Sequence, residues 1–295
     1  MNYQAPVRKK IVQLLHKHGI LQRRTLLSFL KQEASERSID MNLALLRKSG
    51  CITKLSNQVD HRYIGMYCIR STKDARDQAA SLLKIPVESI RQKSLRYTHY
   101  FHEDACARIH EALNQALPQA RILRAIDVNA EKLPAYLLPG SFKKNGEVPD
   151  LILELPAVKS SEMAEPRPIW IAVEVDRTRK QLDRIKRRLF RYAEKCSFDG
   201  VLYFVPTAQL AAQYEREYQS KVGHLVDGLF SRKDSYFART VLTNDIPDMQ
   251  KLFLQCGSKR ISFTDWIQLI STIPAKDRDK NLHQNYNSTE ILERA

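Results

Sequence analysis

Residues 149–192 constrain this chain more than any other stretch. Two short apolar runs lie within it, Leu151-Ile152-Leu153 and Ile169-Trp170-Ile171-Ala172-Val173, and each carries acids at one end. Asp150 precedes the first run, and Glu174 and Asp176 close the second. Apolar runs of this length, β-branched and bounded by proline, are expected as strands buried inside a sheet. The strand period of two sets Glu174 and Asp176 on the same face. The polar, proline-containing segment 154–168 allows a hairpin that returns Asp150 to that face. A helix over 179–195, dense in Lys and Arg, follows directly.

Three carboxylates on one face repel one another unless a cation neutralises them. Hard oxygen donors with room for water suit Mg²⁺ or Mn²⁺. Such an ion polarises a phosphate and activates a water or hydroxyl. Asp150, Glu174 and Asp176 are therefore the expected metal ligands and catalytic acids. On the following helix, Leu182, Ile185, Leu189 and Ala193 form the apolar face, and Lys180, Arg184, Arg187, Arg188 and Arg191 the opposite one. That basic face suits phosphates, which fix position without carrying sequence information. Lys186 falls on the apolar side, where it either meets an anionic partner or snorkels at the edge of the stripe.

The charge of the whole chain agrees with a polyanionic partner. Forty-eight Lys and Arg against 33 Asp and Glu give +15 at pH 7. A field of that sign concentrates nucleic acid. An anionic membrane is the rival, but no lipidation signal is present and the basic residues spread over several elements. No run reaches the roughly 20 apolar residues of a membrane span, and the first ten residues lack a signal-peptide core. The five cysteines are scattered without a CxxC, which fits a reducing cytoplasm.

The N-terminal part reads as three short helices, over 7–19, 22–31 and 35–49, followed by two β-leaning runs, 51–55 and 62–69. That order is the one of a winged helix-turn-helix. Its third helix offers Arg37, Ser38, Asn42 and Arg47 to a DNA groove, and Lys54 and Arg62 fall on the wing. Winged helices also serve as protein-interaction modules; the charge favours DNA. Beyond them come a helix over 99–117, strands near 121–127, 148–155 and 169–176, the basic helix, a strand at 200–205 and a helix at 208–221. The order αβββαβα predicts an α/β fold, α+β over the whole chain, with a mixed central sheet like that of restriction endonucleases. The expected divisions are a winged-helix domain (1–70), a linker (71–96), a nuclease-like core (97–222), a C-terminal extension (223–273) and a disordered polar tail (274–295). A strand near 234–242 and a short helix over 263–270 are expected in the extension.

Pro149-Asp150 followed by Glu174-x-Asp176 resembles the PD-(D/E)xK nuclease motif, with Asp176 in the slot that lysine usually holds. In that superfamily the lysine can migrate to the adjacent helix. The resemblance thereby implies Lys186 as the catalytic lysine, with Lys180 in reserve. The longer string, with Ala-Val-Glu-Val-Asp-Arg-Thr, the Lys-Arg-Arg-x-x-x-Arg-Tyr helix and Val-Leu-Tyr-Phe-Val-Pro, is similar to the replication–relaxation family, which includes MobC-type relaxases of mobilisable plasmids. That family also joins a winged helix to such a core, and a histidine opens its first core helix, as His99 does here. The similarity spans residues 7–222. It implies metal-dependent, site- and strand-specific nicking at an origin of transfer or replication, with a coupling protein or other mobilisation proteins as partners. It equally accommodates a DNA-binding accessory factor that keeps a degenerate nuclease fold.

His99, His102, Cys106 and His110 recur along one helix, but over too much length to meet one zinc ion. Tyr97, Tyr100, Tyr192 and Tyr203 lie near the expected site in sequence, though Tyr203, in a buried strand, reads as core; an activated water serves equally well as nucleophile. No P-loop, GxGxxG or GxSxG occurs, so no small-molecule cofactor is expected.

Overall fold

The computed structural model describes residues 4–55, 58–59, 62–63, 65–90, 99–125, 133, 137, 148–156, 168–176, 183, 187–188, 198–222, 237–243, 246–256 and 259–271. The chain is mixed α/β and divides into two compact units, Met1–Ile109 and His110–Ala295.

The first unit runs α1 (Gln4–His18), β1 (Ile20–Gln22), α2 (Arg23–Leu30), α3 (Glu36–Lys48), β2 (Ile52–Leu55), β3 (Gln58–Val59), β4 (Arg62–Tyr63), β5 (Met66–Ile69) and α4 (Lys73–Leu83). Gly19, at φ +81°, ends α1 and donates its N–H to the Leu15 carbonyl at 2.8 Å. Ser35 starts α3, its hydroxyl accepting from the Ser38 amide at 3.3 Å. Ile11, Leu15, Leu26, Leu30, Ile39, Leu43 and Leu46 form a core between these helices. An antiparallel sheet in the order β1-β5-β2 closes it, and β3 pairs with β4. Strand β1 is too short to show a period in sequence; its pairing with β5 creates it. The stretch 71–96, expected as a partly helical connection between domains, contains α4, whose Ala79 and Ala80 are buried in this same core. Small side chains allow that close packing, and their low hydropathy hides it.

Helix α5 (Tyr100–Ala116) runs through the division between the units. In the first unit its Asp104 is buried, accepting from the amide of Gln22 at 2.8 Å and lying 3.5 Å from Arg108 one turn on.

The second unit holds a seven-stranded sheet in the order β12-β11-β10-β9-β8-β7-β6. Its strands are β6 (Arg121–Arg124), β7 (Leu151–Leu155), β8 (Ile169–Val175), β9 (Gly200–Val205), β10 (Phe237–Val241), β11 (Phe253–Cys256) and β12 (Lys259–Ser262). Strands β8, β9 and β10 are mutually parallel and the other neighbours antiparallel. Helix α6 (Ala208–Val222) covers one face, its Leu210, Ala211 and Tyr214 packing on Ala172, Val201, Tyr203 and Val205. Helix α7 (Phe263–Ser271) covers the other. A Cβ on Gly200 would stand 2.7 Å from Ile270 Cδ1 and 3.3 Å from the Trp266 ring, so the closeness of α7 depends on that glycine. Arg239 of β10 and Glu215 of α6 form a buried ion pair, and burial lowers the Arg239 pKa. The expected strand and helix of residues 223–273 are present as β10 and α7, and β10, β11 and β12 continue the sheet. Among the described residues no helix is long and apolar enough to cross a membrane.

Candidate functional site

The β7–β8 register ends with Leu151 opposite Val173, and Asp150 and Glu174 are the next residues of the two segments. The β8–β9 register pairs Glu174 with Tyr203, on the face that α6 covers. Alternation adds Asp176 to it. Glu174 and Asp176 thus lie two residues apart at the end of β8, and Asp150 is hydrogen-bonded to the residue between them.

Each acid has a fixed partner. Asp150 Oδ2 accepts from the Val175 amide at 2.8 Å, which ties the start of β7 to the end of β8. Glu174, with no exposed surface, is ion-paired to Arg188. Asp176 is equally buried; its Oδ2 accepts from the Tyr214 hydroxyl, and its amide donates to the Phe204 carbonyl at 2.8 Å. The rings of Tyr203 and Tyr214 lie 5.1 Å apart. Burial, and then the Glu174 charge, push the Tyr203 hydroxyl well above its ordinary range. Tyr203 is therefore a neutral core tyrosine, not an ionised nucleophile. Tyr100 lies in the first unit, and Tyr97 and Tyr192 lie outside the described residues.

Arg188 is where the structure departs from the sequence reading. It was expected on the outward basic face; instead its side chain is only 20% exposed and neutralises Glu174. Arg187 is exposed. Lys186, Lys180, Arg184 and Arg191 lie outside the described residues, as does the side chain of Arg62. Sequence reasoning also missed Tyr214. Its position on the inward stripe of α6 marks it as core, and the usable signal is that a buried tyrosine hydroxyl needs an acceptor.

Carboxylates from two adjoining strands fit Mg²⁺ or Mn²⁺ in donor type. The Arg188 guanidinium is an alternative counter-charge on Glu174, so ion and guanidinium compete for that carboxylate.

In the first unit, Arg37, Arg47 and Lys54 are exposed and Ser38 is half-buried. Asn42 corrects the expected set of groove contacts. It has no exposed surface, and its amide donates to the Ser38 carbonyl one turn back at 2.7 Å. A side chain so placed touches no base edge. Arg23 of α2 binds Asp40 at 2.7 and 2.5 Å and Glu36 at 2.5 Å, clamping both acids of α3 and holding the Asp40 carboxyl below its usual range.

Comparison of the chain with known protein families, with curated proteins and with solved structures gave no match.

Proposed function

We propose that the first unit is a winged helix that binds duplex DNA and that the second is a PD-(D/E)xK-like core that nicks one strand with Mg²⁺ or Mn²⁺. The observation that carries the second half is the hydrogen bond from the Val175 amide to Asp150, which brings Asp150 to the residue between Glu174 and Asp176. The sheet order, antiparallel from β6 to β8 and parallel from β8 to β9, supports the same reading. So does the helix-strand order of the first unit, with a three-stranded sheet behind α3.

In this reading Asp150 and Glu174 hold the ion, and the Val175 amide orients Asp150. When bound, the ion supplies polarisation of the scissile phosphate and a more acidic water. The exposed Arg187 side chain tracks the DNA backbone. Lys186 is the expected migrated lysine. The resemblance to the replication–relaxation family points to an origin of transfer or replication as the substrate, with mobilisation proteins as partners.

A second reading is favoured by one observation: Glu174 is buried under Arg188 and Asp176 under Tyr214. A carboxylate site neutralised from within suits a DNA-binding accessory factor whose core has lost cleavage. Supercoiled plasmid carrying the cognate origin, incubated with Mg²⁺ or Mn²⁺, separates the two. Conversion to open circle, lost in Glu174→Ala, supports nicking. Specific binding without nicking under either metal leaves the accessory factor. Protein joined covalently to the cut strand assigns a protein nucleophile rather than water.

A further inference from the structure

We propose that α3 presents a methyl-reading stripe, Met41, Ala44 and Leu45 between Arg37 and Lys48, that contacts thymine methyl groups in the major groove of an A·T-containing duplex. The inference rests on the DNA-binding reading of the first unit and names what that surface selects.

Helical spacing puts residues 37, 41, 44, 45 and 48 on one face. The structure buries the opposite face through Ile39, Asn42, Leu43 and Leu46. All five residues of the outward stripe are exposed. Met41 is 42% and Leu45 37% exposed, and they are two of the five large apolar side chains left exposed among the described residues. Helix α3 therefore shows water a short apolar patch with a cation at each end. Its acids do not face that patch as open charges, because Arg23 clamps Glu36 and Asp40.

Charge complementarity identifies the occupant. Arg47 and Lys54 are exposed nearby in the same unit, and the chain carries +15. From Arg37 to Lys48 a helix rises about 16 Å, enough for the terminal cations to reach phosphate rows on both sides of a major groove about 12 Å wide. A helix so placed lays its middle on the base edges. The apolar group there is the thymine C5-methyl, which aliphatic side chains contact. A protein partner would find cations where interface cores are depleted of charge.

The test uses the full chain and duplexes selected from a random-sequence pool. Each selected duplex is then made in two forms, with thymine and with deoxyuridine, which lacks only the methyl. Affinity is expected to fall about fourfold for each methyl contact removed. Met41→Ala and Leu45→Ala should weaken binding to the thymine duplex by a similar factor and leave the deoxyuridine duplex unchanged. Arg37→Ala should weaken both forms equally and reduce the salt dependence. Equal affinity for the two forms overturns the inference while DNA binding stands, and needs no variant that might misfold. Selection that enriches no duplex overturns the DNA-binding reading itself. Variants at Met41 and Leu45 that leave DNA affinity intact but abolish self-association in sedimentation assign the stripe to a protein contact, and also overturn the inference.

Discussion

Replacing Arg188 by methionine removes the guanidinium that neutralises Glu174, a carboxylate with no exposed surface. Breaking a buried pair from one side costs about 3 kcal/mol. Urea unfolding of Arg188→Met should show a loss of that size, and Glu174→Gln in the same background should recover a large part of it, because a neutral amide needs no counter-ion. Tyr203 sets a pH limit. Its hydroxyl is held well above the ordinary value of 10.0, so the folded state keeps the proton while the unfolded chain loses it. Its contribution is present below pH about 10 and declines as pH rises beyond that value, towards the folded pKa. Above that pH the wild type should therefore lose stability relative to Tyr203→Phe in alkaline unfolding curves. The antiparallel pairing of the two acid-bearing strands was legible in the sequence because two apolar runs and a polar hairpin loop suffice to predict it. The partnership of Arg188 was not. A helical wheel sorts residues by apolar neighbours, and a long guanidinium can turn from the rim of a helix onto a buried acid. Asn42 misled for a related reason: its side-chain NH₂ donates to the Ser38 carbonyl one turn back, which holds a polar side chain on the inward stripe.

At the scale of elements, α7 lies on the sheet because Gly200 leaves room for it. The Cβ of Gly200→Ala would press on Ile270 Cδ1 and the Trp266 ring. Overpacking of this kind costs about 1–3 kcal/mol. Calorimetry should show a lowered Tm for Gly200→Ala, and Ile270→Val in combination should restore part of it, since the methyl that is met lies at the end of a flexible side chain. Strand β9 was the most legible element of the chain: Gly200–Val205 is buried at every position, as an uninterrupted apolar run requires. Strands β1, β11 and β12 were not legible. They are three to four residues long, and partners distant in sequence, or a turn, decide their pairing. Helix α4 reads as a polar connector because three alanines, Ala75, Ala79 and Ala80, make its buried face.

At the scale of the whole molecule, the +15 charge makes any nucleic-acid affinity depend on salt. With about six to ten phosphate contacts, affinity should drop on the order of 10³–10⁵-fold between roughly 50 and 200 mM salt, and fluorescence anisotropy across that range measures the slope. A slope near zero would remove the electrostatic basis of the DNA reading. The parallel placement of β10 against β9 bears on how the protein can be made and cut. During synthesis β9 is complete well before Phe237–Val241 leaves the ribosome, and until then one side of an entirely apolar strand offers bare amides and carbonyls. Stop codons placed between residues 206 and 236 should therefore give chains that collect in the pellet after lysis, although every acid of the carboxylate site is already encoded. The last third of the gene shields what the middle third exposes.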